Sequence, residues 1–564
     1  MLDSVVFKTK KFFREHKYLS FAYKKLVDIY YLYKIKYPRS YKNWIKKSES
    51  FSYLSETVDV ENTFFVLIDC NNYQLNEEQL LANQLASIAK QNYSNKKIVI
   101  INNEALNIDY PDIEMECFSN AQELEIRDGA WVLPLHKDVV LSQHCLAELN
   151  YFIECSKTKG VNFDVVYSDI DSVDDKGRRK NPFFFPDWNP DFFLVNNYFS
   201  KGFAIKWHAN WKEQHIDSEE ICYRRILNSL STPWHNVNVG HCAAILFHNL
   251  GAQPHLSKDM INLAENTLAI EADVKESAHV KFNWPLLDSP KVTLIVPTRN
   301  GYDILKNAID SIVEKTLYPN FDILIINNQS DCQKTIAFME ELSARDNISI
   351  LDYDFEFNYS AINNYAVKQA KGDLIAFVNN DIEVISGNWL SEMVMHAVRP
   401  DIGCVGAKLL YPNETIQHAG VVIGLWGGAG HSHKMYSRHS NGYMDRLQLV
   451  QNYSAVTAAC LVMEKKLFND VGGFDEELFP VAFNDVDLCL KVQALGLRNL
   501  WTPYALLYHH ESISRGDDVT PEKAKRAEME INNLRLKWKT ESHFDPAYNP
   551  NLSLTSEDFS LSRL

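Results

Sequence analysis

Residues 292–327, VTLIVPTRNGYDILKNAIDSIVEKTLYPNFDILIIN, alternate short apolar runs with an amphipathic segment. The runs at Val292–Pro297 and Asp322–Asn327 predict two buried strands, and 302–315 predicts the helix between them. One face of that helix is apolar and consists of Ile304, Leu305, Ala308, Ile309, Ile312 and Val313. Because a helix with such a face covers a sheet, the segment predicts an α/β fold with a mainly parallel sheet.

The same strand–helix–strand order occurs earlier in the chain. Thr63–Asp69 and Lys97–Asn102 predict strands, and 77–91 predicts the helix between them. Short patterns also recur: YSN and INN follow the first helix in the order in which YPN and INN follow the second. A later stretch, 129–138, is echoed by 372–381. Repetition in the same order predicts an internal duplication.

The duplication gives a domain plan for the 564 residues, which are too many for one core. We predict a first domain over 60–285 and a second over 288–520. A basic aromatic arm over 1–58 precedes them, and a helical or extended tail over 521–564 follows.

The formal net charge of −16 is unevenly distributed. Residues 1–48 contain thirteen Lys or Arg against three Asp or Glu, which gives +10 and leaves −26 for the remainder. The acidic body argues against nucleic-acid binding. In the arm, lysines interleave with aromatic residues, which suits an anionic membrane surface. A solvated face that packs on the acidic body is the alternative.

The ten cysteines are scattered singly, which fits a reducing compartment. No apolar run approaches the roughly 18 residues of a membrane span, and the N-terminus lacks the apolar core of a signal peptide. We therefore expect a cytoplasmic protein, and the basic arm leaves open a peripheral position on the cytoplasmic face of the inner membrane.

The first polar segment with groups suited to ligand binding is PTRN at 297–300, between a predicted strand and a predicted helix. Such a loop offers backbone N–H groups and an arginine to a phosphate or a base. A plain strand-to-helix turn explains the same residues.

The second segment is Asn379, Asn380 and Asp381, directly after the apolar run 374–378. A carboxylate and two amides at a strand end suit a divalent cation that neutralises a diphosphate. The alternative is an ordinary polar strand end.

The third segment, FNDVD at 483–487, predicts a helix start. Asn484 or Asp485 fits a helix cap. Asp485 and Asp487 are two positions apart and cannot share a helical face, so one can point at a substrate while the other supports structure.

The fourth segment, HHESISRG at 509–516, offers an imidazole to a metal and a guanidinium to phosphate.

Together these segments resemble glycosyltransferase family 2, the inverting enzymes with the GT-A fold. The resemblance covers about 290–520, through PTRNGYDIL, FNYSAINNYA, GDLIAFVNNDIEV, TAACLVMEKKLFNDVGGFDE, FNDVDLCLKV and HHESISRG. The subset that the chain resembles most has tandem domains and builds bacterial surface polysaccharides such as O-antigen or capsule, often rhamnosyltransferase-like. It implies two tandem GT-A (Rossmann-like) α/β domains, with a helical basic arm and a helical tail.

The resemblance implies metal-dependent transfer of a sugar, of hexosyltransferase type, from a UDP- or dTDP-linked donor to a glycan or lipid-linked glycan acceptor. Asp485 matches the catalytic base, which takes the proton of the acceptor hydroxyl. Asp381, Asn379 and His509 match the site for Mn²⁺ or Mg²⁺. His509 matches better than His510 by its spacing, and the metal motif, which usually has two carboxylates, has one here.

The resemblance also implies contacts around the metal and the base. Those with the nucleotide sugar fall on Pro297, Thr298, Arg299, Asn300, Asn327, Asn380 and Arg515. Positions near the acceptor fall on Gln417, His418, Asn484 and Asp487. Asn327 stands where the family commonly has an aspartate that contacts the uracil or thymine ring.

The first domain has His136, Lys137 and Asp138 in place of the metal motif. A lysine ammonium beside a cation is unfavourable, so we predict that this domain is degenerate. Asp138 and the acidic pair Glu219-Glu220 leave open an active first domain, and with it a bifunctional enzyme. Two further alternatives are a catalytically inactive scaffold in a polysaccharide assembly complex and a nucleotidyltransferase, which would release pyrophosphate.

Overall fold

A computed structural model describes residues 38–49, 62–74, 77–101, 114–174, 176–208, 220–230, 237–251, 256–275, 278–510, 521–542 and 545–562. Of the predicted basic arm it covers only 38–49, so the predicted membrane contact lies outside the described residues, as do Arg515 and Glu219. Within these ranges, no helix combines the length and the apolar character that crossing a bilayer requires.

The chain divides into two compact units. The N-terminal unit contains the described residues of 33–282, together with the short segments 549–552 and 561–562. The C-terminal unit contains the described residues of 283–548 and 553–560. Each unit is built on one large sheet flanked by helices, so the prediction of two α/β units is confirmed.

The sheet of the N-terminal unit runs in the order β3-β2-β1-β4-β8-β6-β9-β5, with β7 paired to β6, and β10 and β11 form a separate hairpin-like pair. The strands are β1 (Phe64–Asp69), β2 (Lys96–Ile101), β3 (Glu116–Phe118), β4 (Trp131–Pro134), β5 (Val139–Leu141), β6 (Val165–Val173), β7 (Arg179–Phe183), β8 (Phe203–Lys206), β9 (Val239–Asn249), β10 (Glu271–Val274) and β11 (Val280–Asn283). The helices are α1 (Pro38–Ser48), α2 (Glu78–Ala89), α3 (Cys145–Thr158), α4 (Pro190–Asn196), α5 (Glu220–Leu230) and α6 (Lys258–Leu268).

The sheet of the C-terminal unit runs β14-β13-β12-β15-β22-β17-β23-β16, with β18 on β17 and β21 on β23. The strands are β12 (Val292–Thr298), β13 (Phe321–Asn327), β14 (Ile348–Asp352), β15 (Leu374–Val378), β16 (Ile382–Val384), β17 (Ile402–Leu410), β18 (Ile416–His418), β19 (Val421–Ile423), β20 (Ala429–His431), β21 (Gln451–Tyr453), β22 (Cys460–Glu464) and β23 (Arg498–His509). The helices are α7 (Tyr302–Lys315), α8 (Gln333–Ser343), α9 (Tyr359–Gln369), α10 (Trp389–Ala397), α11 (Lys465–Asp470), α12 (Asn484–Ala494) and α13 (Pro521–Trp538).

The two sheets have the same strand order, and each corresponding pair of neighbours has the same sense. For example, β1 lies parallel to β2 and β4, as β12 does to β13 and β15. Likewise, β4 lies antiparallel to β8 and β5 to β9, as β15 does to β22 and β16 to β23. This strand-for-strand correspondence supports the duplication that the sequence predicts.

The prediction of a mainly parallel sheet is wrong, because both sheets are mixed. Crossover helices α7, α8 and α9 connect β12, β13, β14 and β15, and these strands form the parallel part. Beyond β15 the order changes, and β22 lies antiparallel between β15 and β17. Parallel neighbours need a crossover connection, whereas antiparallel neighbours do not, and the apolar runs alone do not distinguish the two.

Helix α7 shows how the local sequence fixes the frame around the site. Gly301 precedes it at φ 71°, a conformation that glycine adopts without strain. The helix then buries Leu305, Ile309 and Ile312 against the sheet, where each contributes about 1.5–3 kcal/mol of apolar burial. Its observed bounds are those predicted, and they place the loop at 297–301 at the carboxyl end of β12.

Candidate active site

A cavity of about 510 Å³ lies in the C-terminal unit, at the carboxyl ends of β12 and β15. In α/β sheets this is the edge at which ligands bind. Nine residues predicted from the sequence line the cavity: Pro297, Thr298, Arg299, Asn379, Asn380, Asp381, Asn484, Asp485 and His509. The fold therefore brings together side chains from four separate segments of the sequence.

The innermost polar pair is Asp381 and His509. Antiparallel pairing of β16 with β23 sets His509 opposite Ile382, next to the aspartate in the chain. His509 Nε2 lies 3.2 Å from Asp381 Oδ1, and both side chains are less than a tenth exposed. The amide nitrogen of Asn379 lies 3.4 Å from the same imidazole nitrogen. A carboxylate, an imidazole and an amide thus converge on one point of the cavity wall.

This donor set fits a divalent cation. Metal–ligand bonds of roughly 2.0–2.2 Å at a right angle place two ligand atoms about 3 Å apart, close to the separation of Asp381 Oδ1 and His509 Nε2. In the described part of the chain, no group of three or more His, Cys, Asp or Glu side chains has metal-binding geometry. A cation at this point would take Asp381 and His509 as ligands, and amide, phosphate and water oxygens would complete the shell.

The neighbouring His510 has a different partner. Its Nε2 lies 3.0 Å from Glu383 Oε2, and its backbone N–H donates to the carbonyl oxygen of Asp381 at 2.9 Å. The backbone contact fixes the end of β23, whereas the His510 imidazole is engaged by another carboxylate. Of the two adjacent histidines, His509 lines the cavity.

Asp485 lies in the first turn of α12, and its carboxylate is held by three hydrogen bonds. Oδ2 accepts from Thr457 Oγ1 at 3.0 Å and from the backbone N–H of Ala458 at 3.1 Å, and Oδ1 accepts from the N–H of Val486 at 2.8 Å. Burial raises the pKa of Asp485 above its ordinary value, and these hydrogen bonds oppose the rise. Helix α12 begins after Phe483 without a side-chain cap, so capping does not account for the aspartate.

Two histidines connect to Asp485 through Thr457. The backbone N–H of Thr457 donates to His418 Nε2 at 3.4 Å, so the proton of the neutral His418 is on Nδ1. That Nδ1 lies 2.9 Å from His431 Nδ1, which accepts. Burial holds the pKa of His418 well below its usual range, and His431 and His509 add to the effect, which agrees with a neutral ring. His431 in turn lines the cavity.

Several residues predicted to contact ligands lie outside the cavity lining. Asn300 Oδ1 accepts from the N–H groups of Asp331 and Cys332 at 3.0 and 2.9 Å, ahead of α8. Asn327 donates to Asp352 at 2.8 Å, and its neighbour Asn328 lines the cavity instead. Gln417 and His418 also lie outside the lining and are buried.

Asp487 also lies away from the cavity and joins α12 to α13. Its carboxylate lies 3.0 Å from Lys491 Nζ and 2.8 Å from Lys537 Nζ, and it accepts from Trp538 Nε1 at 2.8 Å. The aspartate is fully buried. Asp485 and Asp487 therefore point in different directions, and the second supports the packing of the tail helix.

Sequence reasoning missed the contribution of α13. Arg526, Ala527 and Glu530 from this helix line the cavity. Glu530 Oε1 accepts from the backbone N–H groups of Val481 and Ala482 at 2.7 and 3.2 Å, and so holds the loop that leads into Asp485. Arg526 and Glu530 are four residues apart, a pattern that on sequence alone is typical of a solvated helix face.

The comparison with known families agrees with the predicted resemblance. Residues 293–472 match the family described as Glycosyl transferase family 2. The chain is 38% identical over 467 residues to the uncharacterized protein y4gI of Sinorhizobium fredii, covering 78% of this chain and 50% of that one. It is 33% identical over 458 residues to the O-antigen biosynthesis protein RfbC of Myxococcus xanthus, covering 77% of this chain and 35% of RfbC. The chain thus spans half or less of the length of these relatives.

A shorter match relates the chain to the O-antigen chain rhamnosyltransferase RfbN of Salmonella typhimurium, with 31% identity over 122 residues, 21% of this chain and 37% of RfbN. Among solved structures, a mannosyltransferase of Pyrobaculum calidifontis in complex with GDP-Man and Mn²⁺ superposes with a TM-score of 0.35 at 14% identity, over 47% of this chain and 70% of that one. That score is too low to carry an argument. The chain contains a glycosyl transferase family 2 domain, and its relatives include proteins of bacterial O-antigen synthesis.

Proposed function

We propose that the C-terminal unit is an inverting, metal-dependent glycosyltransferase that moves a sugar from a nucleotide-sugar donor to a growing bacterial cell-surface glycan of the O-antigen or capsule type. The observation that carries the proposal is that Asp485 and the Asp381–His509 pair face one 510 Å³ cavity, which residues of the family 2 match also line. The names of RfbC and RfbN support the class of acceptor.

Asp485 is the proposed general base. It accepts the proton of the acceptor hydroxyl as that oxygen forms a bond to the anomeric carbon, while the bond from this carbon to the diphosphate oxygen breaks and the nucleoside diphosphate leaves. Attack from the face opposite the leaving group inverts the configuration. Thr457 Oγ1 and Ala458 N–H hold one carboxylate oxygen, which fixes the direction of the other. A pKa raised by burial brings the base closer to neutral pH, where proton acceptance is most efficient.

Asp381, His509 and Asn379 are the proposed cation ligands. A bound Mn²⁺ or Mg²⁺ would supply Lewis-acid stabilisation of the departing diphosphate. The chain's own contribution is to place a carboxylate and an imidazole side by side at the end of β16 and β23. Arg299, on the cavity rim, adds a guanidinium that is suited to phosphate oxygens.

The nucleobase is proposed to bind beyond the carboxyl ends of β13 and β14. Asn327 and Asp352 end these two strands and are joined by a 2.8 Å hydrogen bond. An amide and a carboxylate can meet the donors and acceptors of a uracil or thymine ring, which favours a UDP- or dTDP-linked donor. Asn380 donates to Thr298 Oγ1 at 2.9 Å and so joins the loop after β15 to the end of β12.

The direct test is nucleoside diphosphate release from UDP-, dTDP- and GDP-sugars with Mn²⁺ or Mg²⁺, in the presence of a lipid-linked glycan acceptor. The Asp485→Asn variant should lose about 10²–10⁴-fold in turnover and keep donor affinity. Near-normal turnover in this variant would contradict the assignment of the base. Release of pyrophosphate would instead identify a nucleotidyltransferase, and no release with any donor would favour an inactive scaffold, for which the single carboxylate of the NND motif is the best support.

We place the reaction at the cytoplasmic face of the inner membrane, on the strength of the basic aromatic arm over 1–58 and a lipid-linked acceptor. Co-sedimentation with anionic liposomes, with and without residues 1–58, tests this placement. Equal partitioning of the two chains would remove it.

A further inference from the structure

The corresponding strands of the two units place Asp138 and Asn249 where Asp381 and His509 stand. Asp138 directly precedes the short edge strand β5, as Asp381 precedes β16. Asn249 is the last residue of the long strand β9, as His509 is of β23. In both units the first residue of the short strand pairs with the last residue of the long one. The residue that follows the long strand donates its backbone N–H to the carbonyl oxygen of the aspartate. This donor is Leu250 in the N-terminal unit, at 2.7 Å, and His510 in the C-terminal unit, at 2.9 Å.

The same correspondence makes Lys201 equivalent to Ala459. These residues come just before β8 and β22, which pair antiparallel with β4 and β15. The pairs that fix the register are Val132 with Ile205, and Ile375 with Met463. Counting back four residues from Ile205 and from Met463 leads to Lys201 and Ala459. One unit therefore has a long cationic side chain where the other has a methyl group.

The ammonium of Lys201 lies between the two polar residues of the N-terminal unit. Its Nζ is 3.8 Å from Asp138 Oδ2 and 3.3 Å from Asn249 Oδ1, and its side chain is only 3% exposed. Gly251 lies close to the same aspartate oxygen, and a Cβ atom at this position would clash with it. Lys137, the lysine that the sequence suggests as the competing charge, pairs with Glu77 at 3.0 Å instead.

We propose that the ammonium of Lys201 takes, in the N-terminal unit, the position that a divalent cation takes in the C-terminal unit, so that the N-terminal unit binds no divalent cation. The inference rests on the proposed cation site at Asp381 and His509. An ammonium at this point repels a cation and already neutralises Asp138. Asn249 also lacks the imidazole nitrogen that His509 offers. The N-terminal unit is therefore excluded from metal-dependent transfer, and Lys201 is the residue responsible.

The test counts Mn²⁺ bound to the full chain by electron paramagnetic resonance, with Mn²⁺ alone as the probe. All chains carry Asp381→Asn, so that the site of the proposed function does not contribute. Adding Asp138→Asn should leave bound Mn²⁺ unchanged. Adding Lys201→Ala with Asn249→His, which copies the C-terminal unit, should create one further site per chain. Circular dichroism and thermal unfolding check that each variant is folded.

Two outcomes would overturn the proposal: a decrease in bound Mn²⁺ on Asp138→Asn, or a folded Lys201→Ala, Asn249→His chain that binds no additional ion. If the Lys201→Ala, Asn249→His chain does not fold, the reciprocal change Ala459→Lys, made in an otherwise natural chain, tests the proposal. It should abolish Mn²⁺ binding at the C-terminal unit, and unchanged binding would count against the proposal. Failure of the proposed function would appear separately, as a natural chain whose Mn²⁺ binding does not respond to Asp381→Asn.

Discussion

Replacing Thr457 by valine should change how the rate of transfer depends on pH. The hydroxyl of Thr457 donates to Asp485 Oδ2 at 3.0 Å and lowers the pKa of a carboxyl that burial has raised. Valine keeps the shape and removes the donor. A hydrogen bond to a charged group is worth about 1.5–3 kcal/mol, and at about 1.4 kcal/mol per factor of ten this is roughly a ten- to hundredfold change in the carboxylate fraction at acidic pH.

The sign of the effect follows from the chemistry of the base. The ionised carboxylate is the active form, and losing a donor favours the protonated form, so the acidic limb of kcat/KM should move to higher pH. On that limb kcat/KM should fall by roughly ten- to a hundredfold, and on the alkaline plateau it should change little. The measurement is a pH profile of the natural chain, Thr457→Val and the matched control Thr457→Ser, which should restore the limb. An equal loss at every pH, with the limb in place, would refute the reasoning and leave Thr457 a purely structural role.

Changes at four further residues distinguish the cation site from the residues that support the cavity. Asp381→Asn and His509→Ala should each weaken Mn²⁺ binding by more than about tenfold, measured by titration of the paramagnetic signal, and unchanged binding would exclude them as ligands. Asp487→Asn should lower the free energy of unfolding by about 1–3 kcal/mol in denaturant, because its lysine partners are partly exposed, while kcat stays within about twofold. A loss of kcat without a loss of stability would indicate instead that Asp487 acts near the acceptor, as the resemblance implies. Glu530→Ala should cost about 2–4 kcal/mol of stability and raise KM, whereas Glu530→Gln, which retains an acceptor for the loop N–H groups, should lose less.

The sequence predicts the strand–helix frame well because apolar periodicity follows directly from burial. The helix at 302–315 and the strand at 374–378 have their predicted bounds. Polar strand ends then indicate the cavity, since parallel strands bring their carboxyl ends to one edge. Whether the strands beyond β15 are parallel or antiparallel could not be predicted, because an apolar run in the sequence does not indicate the direction of the neighbouring strand.

The parts of the site that escaped prediction depend on contacts between distant residues. Glu530 reaches the loop before Asp485 from about fifty residues further along the chain. His418 in β18 and His431 in β20 contact each other although thirteen positions separate them, and neither position shows this in its local pattern. Similarly, Lys137 has the right type and place in the sequence to oppose a metal, yet the fold assigns that position to Lys201, sixty-four residues later in the sequence.

The match to family 2 ends at residue 472, before Asp485, His509 and the tail helix that closes the cavity. The stretch that matches the family and the stretch that contains the proposed reaction centre thus overlap only in part. A truncation at the family boundary would keep the strand ends proposed for the nucleotide. It would lose the proposed base, the proposed imidazole ligand and the helix that holds the loop before Asp485. Exchange of the segment after 472 between related proteins would therefore replace the proposed base and the proposed cation ligand His509 together.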